Sequence, residues 1–159
     1  MEFLDIEITK KRYQIILIVS LIIVVIYLAL TMSSLLVFKS YKLGSNTTVS
    51  NEDMNMHIDV LETDAKKIEI AGWAYKEKEP LNSINSRYVL KNQETGKMYL
   101  MRTKMEENIN IEDPEYKKSG MHAQCLLLGM PKGIYDIYVL YQNNDEDLLA
   151  FTLISTEIK

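Results

Sequence analysis

The chain has 159 residues, with 18 basic and 22 acidic side chains and a formal net charge of −4. Between Arg12 and Lys39 there is no Asp, Glu, Lys, Arg or His, and an uncharged run of that length exceeds what a soluble core helix needs. The roughly 115 residues beyond it suffice for one small domain, and the single cysteine, Cys125, has no intrachain partner. These figures exclude a freely soluble protein, a polytopic transporter, a multi-domain enzyme and a disulfide-stapled fold.

Taken in chain order, residues 1–12 form a short head and residues 13–38 a transmembrane helix rich in Ile, Leu and Val. Lys10, Lys11 and Arg12 precede the run; Lys39 and Lys42 follow it. Basic residues are retained on the cytoplasmic side, while acidic ones count for little. The expectation is therefore an uncleaved signal anchor in the cell membrane, with a cytoplasmic N-terminus and an extracytoplasmic C-terminal domain. A cleaved signal peptide and the reverse orientation stand as alternatives. Against cleavage, the apolar stretch is long and lacks an A-x-A-like site. The difference of three basic residues against two is what opposes reversal. Tyr13 and Tyr41 lie near the ends of the run, where amphipathic rings are favoured. Ser20, Thr31, Ser33 and Ser34 are the polar points on a helix without glycine, so a plain contact with the lipid bilayer is expected.

Residues 39–56 are polar and rich in Asn, Ser and Thr, the composition of a linker. Residues 57–159 then read as strands. Alternation or β-rich composition marks Met56–Glu62, Lys67–Tyr75, Ser86–Lys91, Lys97–Thr103, Gly120–Leu128, Ile134–Gln142 and Leu148–Ser155, with turn residues between them. The Asn92–Lys97 and Asn143–Asp147 turns each predict a hairpin. In Lys67–Tyr75, Ile68, Ile70, Gly72 and Ala74 share one face, and Trp73 and Tyr75 the other. Ile134–Gln142 is apolar on both faces, as a central strand would be. Residues 111–120 suit a short helical turn crossing between sheets, with Asp113 capping and Pro114 at the first helical position. About seven strands with almost no helical period indicate an all-β fold, a single antiparallel β-sandwich behind one transmembrane helix.

From Leu43 onward there are 13 basic and 19 acidic residues, once three basic and three acidic residues in the head and Lys39 and Lys42 are set aside. The resulting charge of −6 repels polyanions, and nucleic acid is excluded as a partner. No catalytic residue and no metal or cofactor site is expected. His57 and His122 lack further ligands at zinc spacing. Cys125 and His122 lie three apart on a strand, so they face opposite ways and cannot form a nucleophile and its base. The acidic run Asn143–Asp147 lacks the glycine and spacing of a calcium loop. Aromatic residues remain as contacts for a glycan or a protein partner: Tyr75, Tyr88, Tyr99, Tyr135 and Tyr141. A lone Trp in so small a domain is usually well buried, so Trp73 is assigned to the core.

Three stretches carry a resemblance. Ile68-Glu69-Ile70-Ala71-Gly72-Trp73-Ala74-Tyr75, Ser119-Gly120-Met121-His122-Ala123, and Pro131-Lys132-Gly133-Ile134-Tyr135-Asp136-Ile137-Tyr138-Val139 resemble small Ig-like sandwich domains of Gram-positive envelope proteins. Those domains are associated with cell-surface polysaccharide or teichoic acid assembly. The resemblance covers roughly Ile58–Ile154 and implies an Ig-like fold with no catalytic residues. It implies a non-enzymatic interaction module that docks onto a membrane or envelope protein. A module for a neutral glycan is the alternative, since the acidic charge disfavours an anionic polymer.

Overall fold

The computed structural model describes residues 10–36, 38–81, 84–108, 111–143 and 146–159, and it divides into two units, Met1–Leu35 and Leu36–Lys159. In the first unit, α1 runs from Lys10 to Leu36. Its stretch Lys11–Thr31 is long and apolar enough to cross a membrane. At 1.5 Å per residue this stretch is about 31 Å long, which matches a hydrocarbon core of about 30 Å. Every side chain from Lys11 to Leu30 is exposed, in a sequence apolar all round. Water does not tolerate such a surface, whereas lipid does. Ser20 Oγ donates to the Leu17 carbonyl at 2.9 Å, and Thr31 Oγ1 to that of Tyr27 at 3.0 Å. These hydroxyls are satisfied within their own helix, as an apolar solvent requires.

The second unit is all-β, built from two sheets in a sandwich-like arrangement. Its strands are β1 (Lys39–Tyr41), β2 (Thr48–Val49), β3 (Met54–Thr63), β4 (Lys67–Lys76), β5 (Arg87–Asn92), β6 (Met98–Leu100), β7 (Thr103–Glu106), β8 (Gly120–Leu126), β9 (Gly133–Asn143) and β10 (Glu146–Ile158). One sheet has the order β1-β6-β5-β9-β10-β2, and the other β3-β4-β8-β7. All pairings are antiparallel except that of β2 with β10. Six of the seven expected strands are present with shifted ends, the strands among the described residues number ten rather than about seven, and both expected hairpins form, β5–β6 and β9–β10.

The expected strand Lys97–Thr103 divides, because the chain changes sheets at Met101 and Arg102, leaving β6 in one sheet and β7 in the other. Met101 is fully buried at this corner, and its N–H donates to the Tyr88 carbonyl at 2.9 Å. The 111–120 segment does not cross between sheets, since it links β7 to β8 within one sheet. Asp113 Oδ1 accepts the Glu115 N–H at 2.9 Å, and a 3₁₀ turn follows at Lys117–Ser119.

Residues 39–56 differ most from their reading as a linker. β1 pairs with β6 and β2 with β10. The Asn51 carboxamide donates to the Phe151 carbonyl and accepts the Phe151 N–H, both at 2.9 Å. A polar side chain here stands in for a strand neighbour along β10. The 13–38 boundary shifts with it, because Phe38 packs edge-on against Tyr99, their centroids 6.5 Å apart. Tyr41 lies in β1, half-buried against a small apolar cluster around Val89, Leu140 and Leu149.

Alternation determines the core. Ile68, Ile70 and Ala74 of β4 and Ala123 and Cys125 of β8 meet Leu90, Ile137 and Val139 from the other sheet. Burying each large aliphatic side chain contributes about 1.5–3 kcal/mol. β9 lies between β5 and β10, fully buried on the face of Tyr135, Ile137, Val139 and Tyr141 and partly buried on the other, where Leu140 and Tyr138 join a small second cluster.

Candidate functional site

Because β4 alternates, its inward face leaves Lys67, Glu69, Ala71, Trp73 and Tyr75 on the outer face of the four-stranded sheet. Trp73 is therefore half-buried on that outer face and not in the core. It is paired in register with His57 on β3 and with Gly120 on β8, a neighbour with no side chain of its own. The Trp73 and Tyr75 rings are stacked at 5.5 Å, and Tyr75 stacks on Tyr116 at 4.1 Å, with interplanar angles of 20° and 16°. His57 extends the row, 6.1 Å from Trp73. Tyr116 comes from the β7–β8 connection, and its hydroxyl accepts the Lys78 N–H at 3.0 Å. Sequence reasoning missed Tyr116 because it sits in a loop with no period. The Trp73/Tyr75 alternation was the signal for the rest of the row.

Further along the same face, Glu69 collects three donors. His122 Nε2 lies 3.2 Å from Glu69 Oε1, while Gln124 Nε2 and Lys67 Nζ lie 3.2 and 3.4 Å from Oε2. The hydrogen bond from His122, followed by that from Lys67, holds the Glu69 carboxyl below its ordinary range. Asp64, in the β3–β4 turn, is likewise lowered, by the backbone N–H groups of Lys66 and Lys67.

The five candidate tyrosines separate by burial. Tyr88, Tyr135 and Tyr141 are fully buried core residues, so they offer no surface to a glycan or partner. Tyr135 donates its hydroxyl proton to the Pro131 carbonyl at 2.7 Å, and burial raises its pKa. Burial also raises that of Tyr88, and the Asp59 charge adds to it. Tyr75 and Tyr99 are half-buried. Tyr99 stands edge-on to Tyr135 and lines a groove of about 610 Å³ with Tyr41, Leu43, Met98 and Lys42. Of the basic residues flanking the apolar run, Lys10, Lys11 and Arg12 open α1, Lys39 lies exposed in β1, and Lys42 is exposed just after it.

Cys125 is buried and its thiol is pushed up by that burial, the reverse of an activated nucleophile. His122, on the other face of β8, is engaged with Glu69. Among the described residues no group of three His, Cys, Asp or Glu side chains could hold a metal ion. Part of the acidic run Asn143–Asp147 lies outside the described residues.

The chain matches no protein-family model, no curated protein and no solved structure. The resemblance to envelope Ig-like domains therefore rests on the residues themselves.

Proposed function

We propose that the chain is a non-enzymatic, single-pass membrane protein whose Ig-like domain stands outside the cytoplasm and docks onto a protein of envelope polysaccharide assembly. Two features support the Ig-like reading. The orders β3-β4-β8-β7 and β6-β5-β9-β10 follow the A-B-E-D and C′-C-F-G strand orders of that fold. Tyr135, near the start of β9, bonds to a carbonyl four residues upstream, the arrangement known as a tyrosine corner. Ile137 then occupies the place that an inter-sheet cysteine takes in antibody domains. The envelope setting is carried by the sequence resemblance, and the orientation by Lys10, Lys11 and Arg12, the basic residues that open α1.

The observation that carries the docking reading is the row His57–Trp73–Tyr75–Tyr116. Aromatic rings on an otherwise polar sheet face are typical of interface centres. Sugar stacking needs open ring faces, but here the rings turn their faces to one another at 4.1–5.5 Å. Rings whose faces are taken up by one another suit a protein surface better than a neutral glycan. The test is affinity purification of the intact chain in mild detergent, compared with a Trp73→Ala/Tyr75→Ala variant. An envelope protein retained by the wild type and lost from the folded variant is the expected result. Equal recovery with both chains, or none above background, contradicts docking through this face.

A further inference from the structure

One end of the sandwich carries a second feature that the aromatic face does not explain. The β3–β4 turn, the β8–β9 loop and the end of β10 enclose an open cleft of about 520 Å³. Its walls are Leu126, Leu128 and Met130, its floor includes the buried Ile158, and Lys66, Lys132 and Lys159 stand around it. The cleft is a built feature. The Leu127 N–H donates to the Lys66 carbonyl at 2.7 Å, tying turn to loop, and the Met130 N–H closes the loop onto the Leu127 carbonyl at 3.1 Å. Leu128 is 82% exposed and the adjoining Leu126 38%, so the walls form an apolar patch open to solvent.

Charge identifies the occupant. The domain as a whole is acidic, yet no carboxylate side chain lines this cleft. The nearby acids are already engaged, Asp64 chiefly with the N–H groups of Lys66 and Lys67 and only secondarily with their ammonium charges, and Glu157 with the Lys159 ammonium at 3.5 Å. Among the described residues no carboxylate lies within ion-pair distance of the Lys66 or Lys132 ammonium. Apolar walls beneath two such ammonium groups match a molecule with a hydrocarbon part and an anionic head. A chain with its own membrane-spanning helix meets that chemistry at high effective concentration in the lipid around it. We infer that this cleft binds a single anionic phospholipid, its phosphate against Lys66 and Lys132 and its acyl portion over Leu126, Leu128 and Met130. The site is separate from the aromatic face and independent of the orientation of the helix.

The test uses the full chain in a nonionic detergent with ¹³C-methyl-labelled methionine. The Met130 resonance, assigned with Met130→Leu, reports the cleft, and Met56 in β3, which does not line it, serves as the control for general changes. Dihexanoyl phosphatidylglycerol is expected to shift Met130 saturably, and dihexanoyl phosphatidylcholine to shift it far less. Lys66→Gln/Lys132→Gln should weaken the phosphatidylglycerol response about tenfold, the sum of two exposed charge contacts, and added salt should weaken it too. The inference is overturned if Met130 responds equally to both lipids or to neither, or if the lysine variant binds unchanged. It is equally overturned if inorganic phosphate alone reproduces the shift, which would mark an ion site with no role for the apolar walls.

Discussion

Two tyrosines with almost the same burial make opposite predictions. The Tyr135 hydroxyl is bonded to Pro131, whereas that of Tyr88 is buried with no hydrogen-bond partner among the described residues. An unsatisfied buried hydroxyl costs free energy, while a satisfied one contributes about 1 kcal/mol. Tyr135→Phe is thus expected to lower stability by about 1 kcal/mol and Tyr88→Phe to raise it by a similar amount. In a domain of this size each change moves Tm by about 4 °C, measured by near-UV circular dichroism in detergent. The two shifts should be opposite in sign; equal losses would mean that the Tyr88 hydroxyl has a partner. Glu69 gives a pH prediction. Its folded-state pKa lies below the ordinary 4.5, so the unfolded chain binds the proton more readily. The stabilisation is present above about pH 4.5 and is lost as pH falls through the lower folded value. Glu69→Gln should therefore be less stable than wild type near neutrality, and the difference should shrink on acidification below that range. A pH-independent difference would contradict the assignment. At this scale the sequence was legible wherever alternation applied, as at Cys125 and His122. It misled at Trp73, where the general tendency of tryptophan to be buried was set above a strand period that already turned the ring outward.

Among the elements, long strands with a period were readable and short ones were not. β4 shows its inward face by alternation, and β9 shows its central place because it is apolar on both faces. β1 and β2 have three and two residues and so cannot display a period, and the amide of Asn51 has the composition of a loop even where it completes a sheet edge. The division of β6 from β7 was equally hidden, since Met98, Tyr99, Leu100 and Met101 are continuous in hydropathy and the change of sheet is made by backbone direction. β3 and β4 are held close by an absent side chain. A Cβ on Gly72 would overlap the His57 carbonyl oxygen, backbone that no rotamer can move aside. β3 is already irregular there, with a register shift between Ile58 and Val60. Gly72→Ala should cost about 2 kcal/mol or more through forced separation of the strands. It should also move the His57 ring resonances, because His57 rides on the displaced segment. An unchanged denaturation midpoint would show that β3 yields freely.

Over the whole molecule, two units differ in chemistry, one an apolar helix and the other a β-rich domain. The apolar helix is long enough to cross a membrane, and the sandwich-like unit carries a row of aromatic rings on the outer face of one sheet. The all-β class and the apolar helix were legible in the sequence because strand alternation and charge partition are global signals. The row was legible in part: Tyr116 joins it through a tertiary contact, which no local pattern encodes. The most direct test of the central claim places a photo-cross-linking residue at Gln124, an exposed position on the outer face of the four-stranded sheet, in the full chain within intact cells. Docking predicts a discrete adduct with one envelope protein, lost when Trp73→Ala and Tyr75→Ala are added and absent from a probe at Lys91 on the other sheet. No adduct from Gln124, or the same adducts from both sheets, would contradict it.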